Sequence, residues 1–173
     1  KKKKKKKKKK PKKNFFVFNH RPDTYKHFKE FVAVCDELYK MRQDFKVWVP
    51  LLPKPTRKYM VTTKGNKEWY YKELQKCYVG FSPKQSYGGW SVSTTDGMMN
   101  GVPYIMYDDT YYHELNEMGD FFEDDYTAIQ LLNTYLDDPE YRNEEASKAI
   151  DWMKNKLIYK DKMLEMLFYM DRL

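Results

Sequence analysis

Nowhere does this sequence hold an apolar run approaching the roughly 18–20 residues that a membrane-spanning helix needs. Its N-terminus lacks the apolar core of a secretory signal. Two cysteines, Cys35 and Cys77, are too few for a disulfide framework. They read as buried thiols in a reducing compartment, so a cytoplasmic protein is expected. His20 and His113 are lone histidines with no third ligand at metal spacing, so no metal site is expected. No Ser-His-Asp or Cys-His set has workable spacing, and no P-loop lysine motif occurs. The chain does not open on methionine, which suggests a fragment or a processed chain.

What is present is enough for one domain with a substantial core: 173 residues, 41% hydrophobic and 17% aromatic. The formal net charge of +8 misleads, because residues 1–13 hold twelve lysines and one proline. Removing those lysines takes the charge of the remaining chain to −4. A lysine block repels itself and does not fold alone, so residues 1–13 are expected as a disordered tail and residues 14–173 as the folded domain. The tail is either solvated or a basic arm that binds nucleic acid by counterion release.

Through the body the hydrophobic period alternates. Asn14–Phe18 is a short apolar run that reads as a buried strand. Phe28, Phe31, Val32, Cys35, Leu38 and Tyr39 then recur at steps of three and four, which predicts a helix over 24–42 with Asp23 or Thr24 as N-cap. Strands follow at 45–52, 59–63, 78–82 and 102–107, and a short one at 120–122. Helices are expected at 67–77 and 91–99, near 126–137, at 139–156 and at 160–171. Strands separated by helices predict an α/β, Rossmann-like, doubly wound parallel sheet. Ligands of such sheets bind at the carboxyl ends of the strands. The loops 19–23 and 83–90 both follow strands and precede helices, so both fall on that rim. Helix N-termini there suit phosphate, Gly88 and Gly89 let backbone amides approach an anion, and Arg21 and Lys26 add full charges. These residues are expected to hold a diphosphate.

From Asn14 to about Asp151 the chain resembles the C-terminal, donor-binding domain of GT-B glycosyltransferases of the glycogen-synthase-like group. That family has a strand ending in Gly-Arg and a lysine five residues later. Arg21 and Lys26 keep this spacing, with His20 in place of the glycine and His27 where a second glycine is usual. "GGWSVSTTDGMMNGVPYIMY" keeps the family's order of Gly-rich loop, short helix, Gly-x-Pro and apolar strand. Asp96 stands where the family's glutamate holds the ribose hydroxyls, and Gly97 where alanine is usual. Glu114-Leu115 and "FFEDDYTAIQLLNTYLDDPEYR" resemble later family segments. The family's first acid, eight positions earlier, is replaced by Gly88, leaving Ser86 or Gln85 as substitutes.

The resemblance implies a single domain that binds a nucleotide-diphosphate sugar, with no covalently bound cofactor. Arg21 and Lys26 would neutralise the diphosphate, amides of Gly88, Gly89 and Trp90 would share that load, and Asp96 would fix the ribose. It implies a glycosyltransferase that is incomplete without an N-terminal acceptor domain or partner chain, acting on an acceptor that is glycan, protein or modified DNA. The Lys-, Tyr- and Asn-rich, Gly-poor usage is similar to that of AT-rich viral genomes. The alternative reading is a non-catalytic structural or nucleic-acid-associated module on the same fold.

Overall fold

In the computed structural model, which describes residues 14–87, 89 and 91–156, six parallel strands form one sheet. The strands are β1 (Phe15–Val17), β2 (Lys46–Trp48), β3 (Met60–Val61), β4 (Val79–Ser82), β5 (Tyr104–Tyr107) and β6 (Asp120–Phe122). Their order is β3-β2-β1-β4-β5-β6. The helices are α1 (Phe28–Met41), α2 (Lys67–Leu74), α3 (Val92–Met99), α4 (Thr110–Leu115), α5 (Asp125–Asp137) and α6 (Pro139–Lys156). The doubly wound α/β fold expected from the alternating periods is the fold observed. The lysine run and the helix expected at 160–171 lie outside the described residues.

Successive strand residues point to opposite faces, and here both faces are covered. Phe16, Phe18, Val47, Val79, Phe81 and Ile105 pack under α1 and α5 with Phe31, Leu38, Leu132 and Leu136. Val17, Trp48, Tyr104 and Met106 pack on the other side with Leu74, Met98, Tyr112, Leu115 and Met153. That is why the strands read as continuous apolar runs rather than as alternating patterns. Arg142 ties α6 beneath this second layer. Its buried guanidinium donates to the carbonyls of Tyr78 (2.8 Å), Gly101 (3.1 Å) and Cys77 (3.3 Å), fixing the entries to β4 and β5.

Two expectations need correction. The helix anticipated over 24–42 is broken. Thr24–Lys26 form a single 3₁₀ turn, His27 takes a left-handed conformation (φ 49°), and α1 starts only at Phe28. Asp23 precedes that turn in an extended conformation and makes no side-chain capping bond. The His27 ring meets Glu30 Oε1 in the first turn of α1 and, from the loop after β4, Ser86 Oγ, both at 3.1 Å. The second correction is α4, six residues long, which was not anticipated. Asp109 caps it through the Tyr111 amide (3.0 Å).

Candidate functional site

The strand order reverses direction between β1 and β4. β1 runs on to α1 on one face and β4 to α3 on the other, which opens a crevice beyond their carboxyl ends. His20 closes its floor and is 1% exposed. One ring nitrogen, Nε2, sits 3.0 Å from the Phe81 carbonyl oxygen, and the other, Nδ1, 3.0 Å from Ser91 Oγ. A carbonyl only accepts, so Nε2 carries the proton and the Ser91 hydroxyl donates to Nδ1. Ser91 Oγ also accepts from the Ser93 amide at the start of α3 (3.3 Å). Burial, with the nearby Lys26 charge adding to it, pushes the His20 pKa down to about 3, so the ring is neutral. The histidine standing where the family has glycine is thus a rivet between β1, β4 and α3.

Arg21 and Lys26 rise from the loop after β1. The Arg21 side chain is exposed. Lys26 is partly buried, and its ammonium lies 5.4 Å from the centre of the Tyr25 ring and donates to Gln85 Oε1. Burial holds the Lys26 pKa below the ordinary lysine value, and the positive charge of Arg21 lowers it further. The two cations therefore feel each other. Among the described residues no carboxylate pairs with either one. A like-charged pair without a counter-charge is costly to hold, and an anionic ligand removes that cost.

The glycine-bearing loop runs beside them. Gly89 sits at φ +74°, and a Cβ there would meet nothing, so what requires glycine is the backbone conformation alone. Gly88 and Trp90, assigned with it to diphosphate binding, lie outside the described residues. The two substitutes for the family's first acid differ in exposure, Gln85 being buried and Ser86 exposed. Gln85 is buried and turned inward, donating to the Pro83 carbonyl (2.9 Å) and the Tyr112 hydroxyl (2.7 Å). Ser86 donates to the Tyr25 carbonyl (3.2 Å) and meets the His27 ring.

Asp96 projects from α3 on the other side of the crevice. It borders a cavity of about 450 Å³ lined with Asn19, Leu51, Lys67, Trp69 and Tyr70 among others. Burial raises the carboxyl's pKa, and the neighbouring Lys67 charge opposes the rise. The wall of this cavity is a side-chain network absent from the sequence reading. Asn19 donates to the Tyr70 hydroxyl (2.9 Å) and the Ser93 carbonyl (2.7 Å), and accepts from the Tyr104 hydroxyl (3.1 Å). Tyr104 has room because two glycines face it. A Cβ at Gly80 would overlap its ring, and one at Gly97 its ring and hydroxyl. Glycine at 97, where the family's alanine is usual, thus follows from the tyrosine on β5.

Acidic residues that follow β5 and β6 on the same rim serve local structure. Asp108 meets His113 Nε2 (2.7 Å), and that ring stacks on Phe121 with centroids 3.8 Å apart. Asp124 caps α5 through the Thr127 amide (2.7 Å). No group of three His, Cys, Asp or Glu side chains is placed to hold a metal among the described residues, and no helix there is long and apolar enough to cross a membrane.

No protein-family model and no curated protein matches the sequence. Solved structures do match. The chain is similar to TarM, with a TM-score of 0.77, 13% identity, and coverage of 92% of this chain and 35% of TarM. It is similar to an S. aureus TarM mutant in complex with Fondaparinux, alpha-GlcNAc-glycerol and UDP (TM-score 0.76, 14% identity, 92% and 36% covered). It is also similar to the C-terminal domain of LpcC, a glycosyl transferase group 1 family protein from Francisella tularensis (TM-score 0.67, 13% identity, 85% and 87% covered). The chain spans about a third of TarM's length but corresponds to most of the isolated LpcC domain. Its fold is that of a GT-B C-terminal domain.

Proposed function

We propose that this chain is the donor half of a glycosyltransferase and binds a nucleotide-diphosphate sugar in the β1/β4 crevice. The observation that carries the reading is the pair of cations, Arg21 and Lys26, held without a carboxylate at the point where the strand order reverses. A diphosphate supplies the missing negative charge. Across the crevice, at the same carboxyl ends of the strands, Asp96 faces a cavity large enough for a nucleoside, and its carboxylate accepts hydrogen bonds from ribose hydroxyls. The TarM complex with UDP supports this reading.

In transfer, the bond between the sugar's anomeric carbon and the diphosphate oxygen breaks, and negative charge builds on the departing diphosphate. Arg21 and Lys26 stabilise that charge as it develops. The acceptor and the groups that activate it belong to a second domain or chain, in keeping with the third of TarM that this chain spans. The isolated chain therefore binds nucleotide without turnover.

The ribose assignment is tested by calorimetry with uridine and guanosine diphosphates. Asp96→Ala weakens binding roughly tenfold, the effect of losing about 1.5 kcal/mol of charge-assisted hydrogen bonding, and Asp96→Glu restores most of it. An alanine variant that binds as tightly as the parent would make Asp96 a surface residue and leave the cavity without a ribose partner.

A further inference from the structure

We infer that Gln85 is a positioning residue that holds the Lys26 ammonium toward the diphosphate while leaving its charge uncancelled. The inference rests on the donor-binding reading above and adds to it a residue that touches no ligand atom. Gln85 is 7% exposed and its amide is fully committed. Its Oε1 accepts from Lys26 Nζ, while its Nε2 donates to the Pro83 carbonyl (2.9 Å) and the Tyr112 hydroxyl (2.7 Å). Tyr112 is itself buried on α4 and donates to the same Pro83 carbonyl (2.9 Å). The amide orientation is thereby settled, because Nε2 faces two acceptors and only Oε1 is left for the ammonium.

The chemistry of the amide matters as much as its place. A lysine has three donors on a flexible stem, so a single fixed acceptor restricts where its remaining donors point. A glutamate at 85 would fit the same space but would form a buried ion pair with Lys26. That pair would neutralise the cation before any ligand arrived, and a diphosphate would have to compete with it. A neutral acceptor keeps both the orientation and the full charge. The short helix α4, through Tyr112, is what sets the amide in place.

The test compares the full chain with Lys26→Ala, Gln85→Met, Gln85→Glu and Tyr112→Phe. Each is titrated with uridine diphosphate against uridine and with guanosine diphosphate against guanosine. The readout is the ratio of diphosphate to nucleoside affinity, which isolates the phosphate contribution from any general loosening of the pocket. Gln85→Met and Gln85→Glu each lower the ratio by about tenfold, and Tyr112→Phe, the mildest change, by about twofold to threefold. In wild type the ratio falls as pH rises through the lowered pKa of Lys26. In Gln85→Glu that fall moves to higher pH, because the new carboxylate favours the charged ammonium. In a Lys26→Ala background, Gln85→Met changes nothing further. An unchanged ratio in Lys26→Ala, or no diphosphate binding to wild type, overturns the donor-binding reading and this inference together. A lowered ratio in Lys26→Ala with wild-type ratios in the Gln85 and Tyr112 variants overturns this inference alone. If both Gln85 variants fail to fold, Tyr112→Phe decides.

Discussion

Arg21→Ala lowers the affinity for a nucleoside diphosphate roughly 100-fold, and Lys26→Ala roughly tenfold. The guanidinium is the larger loss because its planar fork binds two phosphate oxygens at once, while the ammonium acts as a point charge. Charge-assisted contacts are each worth about 1.5–3 kcal/mol, and about 1.4 kcal/mol is a factor of ten. The two residues share one ligand, so the double variant loses less than the product of the single losses. Stability moves the other way. Burial lowers the Lys26 pKa and the Arg21 charge lowers it further, so Arg21→Ala leaves the melting temperature unchanged or slightly raised. Calorimetry and thermal melts on the double-mutant cycle check both halves. Single variants that bind nucleotide at wild-type strength would reduce the pair to an exposed turn.

Acidification to pH 5 destabilises the fold by about 2 kcal/mol through His20 alone. The unfolded chain takes up a proton at this imidazole near its ordinary pKa of 6.5, whereas the folded chain does so only near 3. Between those values the unfolded state binds more protons, so stability falls as pH falls. The contribution is fully present above pH 6.5 and is lost progressively toward pH 3. The carboxylates with lowered pKa, Glu30, Asp36, Glu68 and Asp124, lose their stabilising charge at lower pH, starting from values of 4.5 or below. Urea midpoints at pH 7 and pH 5, compared between wild type and His20→Gln, isolate the histidine. Glutamine can donate to the Phe81 carbonyl and accept from Ser91 but does not titrate. Its acid sensitivity is therefore much smaller. Equal losses in the two proteins would show that His20 is not buried and neutral as described.

The sheet was legible because both of its faces are buried, which turns every strand into an apolar run that stands out against polar loops. From alternating runs and helical periods the doubly wound architecture follows with few alternatives. The place of Arg21 and Lys26 on the carboxyl rim was legible for a related reason, since the loop after a strand falls there in this architecture, while Asp96 was picked out by the resemblance alone. What escaped depends on contacts between distant segments. His27 lies in a stretch that reads as helix by local periodicity, but its ring meets the distant Ser86 while the backbone turns left-handed. The helix α4 has only six residues, too few to show a period. Gln85 looked like an exposed loop residue able to meet a sugar, and nothing local signals that Tyr112, on that unanticipated helix, draws it inward. His20 could be recognised as a replacement for glycine but not as buried. Gly97 stood out only as a replacement for alanine, and its fit against Tyr104, shared with Gly80, follows only once β4, β5 and α3 are packed together.

The central claim, a diphosphate site at the β1/β4 crevice with a nucleoside cavity beside it, is tested most directly by following backbone amide resonances during titration with uridine and guanosine diphosphates. Saturable shifts are expected to concentrate in residues 19–27 and 83–97 and to extend to residues 64–71 along the cavity, with the amides of the sheet's opposite edge unmoved. Shifts confined to that opposite edge, or none in a folded chain at millimolar nucleotide, would contradict it.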